Sequence, residues 1–323
     1  MASEDSEEVP SEVEVQAEDG NLFYLSCLTL KKIFIFAMLL GVLGTEARLR
    51  LYPTNLICII TAQGNNMKTN ISCDALSAAI AAVRAKSPLV HNITNYVVMN
   101  NSANALLAIG ASPVMAHWVS EMEEMASIAG ALVINIGTLD DKWIEGMIAA
   151  GKTAMRRGIP IILDPVGVGA TSQRTEAAVK IINICHPTII RGNASEIMAL
   201  VDASVKSKGV DSSASSDDAL ESAKKLAAAT SSVVVISGET DYITDGQSVN
   251  TVSGGDPIMT SVTGMGCTSS ALVGAFAAVV DDPMLAATAA MAVMSLAGEK
   301  AAEHSRGNGS MQVNFLDELY NLR

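Results

Sequence analysis

From Met67 onward, short apolar runs rich in β-branched residues alternate with longer stretches in which apolar residues recur every three or four positions. The first kind predicts buried strands and the second amphipathic helices. Strands are predicted at 89–94 (LVHNIT), 112–116, 131–137 (ALVINIG), 160–165 (PIILDP), 187–193 (PTIIRGN) and 232–239 (SVVVISGE), most of them carrying a polar residue near the C-terminal end. Helices are predicted at 74–86, 97–109, 119–129, 140–157 (closed by Gly158), 176–184, 194–200 and 217–229. A polar hairpin at 242–252 breaks the rhythm, and the chain after Cys267 reads as helical almost to its end. Continuous apolar strands separated by helices require a mainly parallel sheet covered on both faces, so the predicted class is α/β, as a three-layer α/β/α sandwich.

Residues 1–66 do not share this pattern. Eight acids (Glu4, Asp5, Glu7, Glu8, Glu12, Glu14, Glu18 and Asp19) precede the first base, Lys31, and such a stretch is predicted to be disordered. The apolar run at 33–44 is too short for a bilayer span, which takes about 20 residues, so a membrane role is not expected. The reading is an N-terminal extension over 1–66 and one catalytic domain over 67–323. With 49% apolar residues the chain fills a large core, and its net charge of −13 argues against nucleic acid or an anionic membrane as partner. Five cysteines at wide spacing, with no CxxC, suggest neither a zinc site nor a disulfide framework, and so a cytoplasmic protein. Asn92 and Asn193 open Asn-x-Ser/Thr sequons but fall among the candidate site residues, where a glycan would not fit.

In open parallel sheets ligands bind beyond the C-terminal strand ends, which selects Asn92, Met115, Asn135, Asp164, Arg191, Asn193, Glu196 and Ser237. Asp164 and Glu196 are acids suited to Mg²⁺, which takes one or two carboxylates together with phosphate oxygens. Arg191 has the forked cation that phosphate favours. Taken singly, an acid here is more often a helix cap, Met115 more often core, and an arginine more often one half of a salt bridge. The stretch 262–280 adds a Gly-x-Gly-Cys turn, Gly264 to Cys267, feeding a small-residue apolar helix. Its unpaired NH groups and dipole attract an anion, Gly264 and Gly266 allow close approach, and the same field is expected to lower the pKa of Cys267.

Two motifs are set aside. Residues 146–153 (GMIAAGKT) fit the phosphate-loop pattern GxxxxGK[ST], but they lie within a predicted helix, whose NH groups are already bonded. Residues 241–246 (DYITDG) lack later ligands of a calcium loop and read as a hairpin turn.

Taken together, VHNITN (90–95), ANALLAIGASPVMA (103–116), INIGTL (134–139), LDPVGVGA (163–170), RGNASEIMAL (191–200), ISGETDYITDG (236–246) and GGDPIMTSVTGMGC (254–267) resemble the hydroxyethylthiazole kinase family across essentially 67–323. The resemblance implies a ribokinase-like fold, phosphorylation of the hydroxyethylthiazole alcohol by MgATP in thiamine salvage, and a homotrimer with sites at subunit interfaces. By position it places Arg191, Ser237, Gly264 and Gly266 at ATP, with Asn92, Met115 and Gly264 at the thiazole. Asp164 and Glu196 fall at the metal and phosphates, and Cys267 stands where ribokinase-like enzymes carry an aspartate base. Ser237 replaces a common threonine, and Met265 a small residue. The implied chemistry is direct in-line transfer, with Cys267 accepting or orienting the alcohol proton. Rival readings are a hydroxymethylpyrimidine-type kinase, against which Cys267 counts, a non-catalytic thiazole or nucleotide binder, and a redox sensor, for which no resolving cysteine is near.

Overall fold

The β-branched runs become strands whose alternate side chains face two separate cores. In the computed structural model, residues 12–16, 22–26, 58–59, 67–204 and 216–322 are described. The chain divides into two compact units, one of residues 1–56 and 61–64, the other of 57–60 and 65–323. In the first, β1 (Glu12–Gln16) pairs antiparallel with β2 (Leu22–Ser26). The apolar run at 33–44 lies outside the described residues.

The second unit contains the remaining strands: β3 (Cys58–Ile59), β4 (Lys68–Thr69), β5 (Leu89–Ile93), β6 (Ser112–Val114), β7 (Ala131–Asn135), β8 (Ile161–Asp164), β9 (Ile189–Asn193), β10 (Val233–Ser237), β11 (Thr240–Thr244) and β12 (Val249–Ser253). They form one sheet in the order β3-β4-β12-β11-β10-β9-β8-β7-β5-β6. From β10 to β6 every pairing is parallel, whereas the β11–β12 hairpin, β4 and β3 are added antiparallel. Parallel neighbours need long crossovers, and helices supply them.

Val90, Val133, Ile162, Ile189, Val233 and Val235 point into one core, shared with α1 (Cys73–Lys86), α2 (Met99–Ile109), α8 (Met265–Ala277), α9 (Pro283–Glu303) and α10 (Asn308–Asn321). Ile93, Leu132, Ile134, Ile161, Leu163, Ile190, Val234 and Ile236 point into the other. That core is shared with α3 (Met122–Ile128), α4 (Asp141–Arg157), α5 (Ser172–Cys185), α6 (Ala194–Ser204) and α7 (Ser216–Thr230). The period-2 alternation therefore yields the expected α/β/α sandwich. Burying each such Val, Ile or Leu contributes about 1.5–3 kcal/mol relative to leaving it exposed. The small residues of α8 let it lie close on the sheet: a Cβ at Gly274 would be 2.6 Å from Val133 Cγ2.

Several boundaries differ from the sequence reading. The predicted helix at 119–129 is a 3₁₀ turn (Val119–Glu121) followed by α3. Helix α5 starts earlier than 176, because Thr171 caps it by accepting from the Arg174 NH. Helix α4 does end at Gly158, in the left-handed conformation, and it does contain the whole of 146–153 with Lys152 exposed. The expectation of an unbridged cysteine set is corrected at Cys73, which is disulfide-bonded, while Cys185 and Cys267 are free. Sequence spacing does not report which cysteines the fold brings together. Among the described residues no helix is long and apolar enough to cross a membrane.

Candidate active site

Five parallel strands and the start of α8 deliver their polar residues to one end of the sheet. Asn135, last in β7, sits in register with Asp164, last in β8; Asn193 of β9 is in register with Ser237 of β10. Helix α8 begins at Met265, with Gly264 as its N-cap at φ 85°, a left-handed conformation that suits glycine. Gly266 and Cys267 consequently belong to the first helical turn rather than to a loop before it.

Arg191 is 8% exposed, and its Nη2 donates to Ser237 Oγ at 2.6 Å. A Cβ on Gly266 would lie 2.7 Å from Arg191 Nη1, so the guanidinium rests against the first turn of α8 and would have to shift to admit a larger residue there. Arg191 Nε has no partner, and among the described residues no carboxylate lies within ion-pair distance of this cation. A nearly buried guanidinium beside the positive pole of a helix is a site built for an anion.

Asp164 is 1% exposed, and its Oδ2 accepts from Asn135 Nδ2 at 2.7 Å and Ser270 Oγ at 2.8 Å. Burial pushes its pKa up to about 6, and the charge of Glu196 adds to that, against the pull of Arg191 and the two hydrogen bonds. Glu196 accepts from the Gly167 NH at 2.9 Å and, through its other oxygen, from the Asn193 NH at 2.9 Å. The Glu196 NH in turn donates to Asn193 Oδ1, which completes a reciprocal cap at the start of α6. Glu196 is therefore a helix cap, and it is also close enough to Asp164 for like charges to interact. Among the described residues no group of three or more His, Cys, Asp or Glu side chains gathers for a metal.

Cys267 is half-buried, and Asn95 Nδ2 donates to its Sγ at 3.5 Å and to Asn135 Oδ1 at 3.0 Å. The expected lowering of its pKa is overturned. Burial, then the charge of Asp164, pushes the thiol up to about 11, outweighing Asn135, Asn95 and Arg191. The error lay in counting the helix end without the burial of the thiol and, after it, the buried acid nearby.

Asn92 is 1% exposed and turns its amide back to the Val90 carbonyl at 3.1 Å. Met115 is half-buried against the core that holds α8, and Gly264 meets Val98 at the start of α2. Sequence reasoning missed Asn95, Ser270 and Asp241. Ser270 was findable, because it lies three residues after Cys267 on the same helix face. Asp241 is half-buried in the hairpin strand β11, accepts from the Gly238 NH at 3.0 Å, and has its pKa pushed up to about 6 by desolvation. The rejected calcium loop is a turn, in which Asp245 Oδ1 accepts from the NH groups of Gln247 and Ser248.

The chain is similar to proteins already known. The hydroxyethylthiazole kinase family profile matches residues 80–323. A hydroxyethylthiazole kinase from Leptospira biflexa is 58% identical over 240 residues, covering 74% of this chain and 90% of that one. The solved hydroxyethylthiazole kinase structure from Pyrococcus horikoshii is 42% identical with a TM-score of 0.72, covering 77% of this chain and 94% of that one. A ribokinase-like superfamily protein from Enterococcus faecalis, 14% identical with a TM-score of 0.55 over 78% of this chain and 93% of that one, shares the fold.

Proposed function

The chain belongs to the hydroxyethylthiazole kinase family and is a phosphotransferase, and we propose that it moves the γ-phosphoryl group of ATP directly onto the alcohol of hydroxyethylthiazole. The observation that carries this reading is the buried guanidinium of Arg191 against the first turn of α8, with its Nε unpartnered and no carboxylate within ion-pair distance among the described residues. Phosphoryl transfer depends mainly on positioning and on neutralising charge, and this pairing does both. Arg191, Ser237 and the NH groups around Gly264 and Gly266 take the nucleotide phosphates. Asn92, Met115 and Gly264 line the thiazole side.

Mg²⁺ fits the donor set. Asp164 and Glu196 are two carboxylates whose like charges act on each other, and both are hydrogen-bonded into fixed orientations. They would hold the ion, directly or through water, and bound there it would offset charge on the β- and γ-phosphates. In the transfer itself, the alcohol oxygen bonds to the γ-phosphorus, the bond to the β–γ bridging oxygen breaks, and ADP leaves. The alcohol proton passes to Cys267 Sγ. With the thiol pKa at about 11, only on the order of 10⁻⁴ of it is ionised near neutral pH, so the proton-accepting form is a minor one that grows as pH rises.

Self-association, which a homotrimer requires, is supported by the exposed Tyr96 and Val97 after β5, Leu107 on α2 and Trp118 after the edge strand β6. The burial of the sequon residue Asn92 leaves no room for a glycan and so favours a cytoplasmic location, whereas the bridged Cys73 counts against it. Incubation with MgATP and hydroxyethylthiazole should give ADP and thiazole phosphate in equal amounts, and Arg191→Ala should abolish most of it. Thiazole binding without ADP formation would reduce the protein to a binder.

A further inference from the structure

Arg174 lies outside every set of site residues considered so far. It is the third residue of α5, and its side chain runs beneath the loop after β8, where a Cβ on Gly167 would lie 3.2 Å from Arg174 Cδ. Its guanidinium has no carboxylate within ion-pair distance among the described residues. Instead it donates to three backbone carbonyls: Nη1 to Ile136 at 2.7 Å and Val166 at 2.9 Å, and Nη2 to Gly137 at 3.0 Å. Ile136 and Gly137 follow β7, and Val166 follows β8. One rigid fork therefore ties together the two loops that leave the middle of the parallel part of the sheet.

Each loop in turn fixes a site acid. On the β7 side, the Gly137 NH donates to Asn135 Oδ1 at 2.9 Å, and Asn135 Nδ2 donates to Asp164 Oδ2. On the β8 side, the Gly167 NH donates to Glu196 Oε1 at 2.9 Å. The path from Arg174 reaches Asp164 through Gly137 and Asn135, and Glu196 through Val166 and Gly167. Thr175 braces the same loop, its Oγ1 accepting from the Gly169 NH at 3.1 Å.

We propose that Arg174 is a positioning residue that sets the spacing of Asp164 and Glu196, and so the capacity of the site to take a nucleotide as its Mg²⁺ complex. The inference rests on the assignment of these two acids to the metal. A lysine ammonium cannot span three carbonyls in a plane, so Arg174→Lys should behave more like Arg174→Met than like the unaltered protein. Groups that orient metal ligands typically change metal affinity by about 10- to 100-fold when removed.

The test is calorimetric binding of ADP to the full chain, with Mg²⁺ and with EDTA, for the unaltered protein, Arg174→Met and Arg174→Lys. In the unaltered protein Mg²⁺ should tighten ADP binding. In both variants that tightening should fall by about tenfold, while affinity in EDTA changes less than about threefold. Unchanged tightening, or an equal loss with and without Mg²⁺, would overturn the proposal, as would failure of both variants to fold, because each makes Arg174 a general structural residue. No tightening in the unaltered protein would overturn the metal assignment and this inference with it. Normal Mg²⁺ tightening without thiazole phosphorylation would instead overturn only the proposed substrate.

Discussion

Replacing Asp164 with asparagine should make the unliganded protein more stable and the enzyme much slower. The carboxyl is 1% exposed and its pKa is pushed from 3.8 to about 6 by burial and by Glu196. Two pKa units correspond to about 3 kcal/mol at most. Asparagine keeps an oxygen to accept from Asn135 or Ser270 but loses the attraction of Arg191, so a net gain of about 1–2 kcal/mol is expected at pH 7. The sign follows from proton binding. Between about pH 4 and 6 the folded state keeps a proton on Asp164 that the unfolded chain has lost, so stability falls as pH rises through that window. The variant lacks this slope. Its advantage should be near zero below pH 4 and fully developed by pH 7, while Asp241, raised to about 6 as well, titrates in both proteins and cancels. Urea unfolding at one protein concentration, at pH 4 and pH 7, reads the difference from the midpoints. A variant that is less stable at pH 7, or equally shifted at both pH values, would refute the reasoning. Turnover should fall by about 10²-fold or more, since a charge held against its own solvation has been removed from the phosphate site.

Cys267→Ala should lower kcat by roughly 10²- to 10⁴-fold with a smaller effect on KM, whereas Cys267→Asp should keep substantial activity. Because the thiol pKa is raised to about 11, kcat of the unaltered enzyme should climb with pH from 6 to 9 and that of the aspartate variant should be flatter; equal profiles would remove the sulfur from proton transfer. Lys152→Ala, on the exposed face of α4, should change ATP affinity less than about threefold, against a large loss for Arg191→Ala, and the reverse order would relocate the nucleotide site. Deleting residues 1–66 should leave a folded chain with unchanged kcat/KM, and an insoluble or inactive product would move the domain boundary.

The layers, and the gathering of the candidate residues at one end of the sheet, were legible because both follow from local periodicity. Runs such as Ile161–Asp164 and Val233–Ser237 announce buried parallel strands, and their last residues mark the ligand end. Helical periodicity likewise disposed of the phosphate-loop pattern at 146–153. What one-dimensional reading lost was set by distance across the fold. The pKa of Cys267 is raised first by its burial and then by Asp164, more than a hundred positions away in sequence, and the cap formed by Glu196 shares its carboxylate with the Gly167 loop. Asn95 lies two residues past β5 and looks like an ordinary loop polar residue until its amide is seen bridging Asn135 and Cys267. Arg174 gives no sequence signal at all, since its partners are backbone carbonyls.

The most direct test of the central claim is a comparison of kcat/KM for purified full-length protein with MgATP and a panel of alcohols, with product identity read by mass. The account predicts that hydroxyethylthiazole gives one ADP per thiazole phosphate, with kcat/KM at least about 10²-fold above hydroxymethylpyrimidine and simple sugars, the kind of discrimination a fitted pocket supplies. Preferential phosphorylation of the pyrimidine alcohol, or no phosphorylated thiazole from protein that binds MgATP, would contradict it.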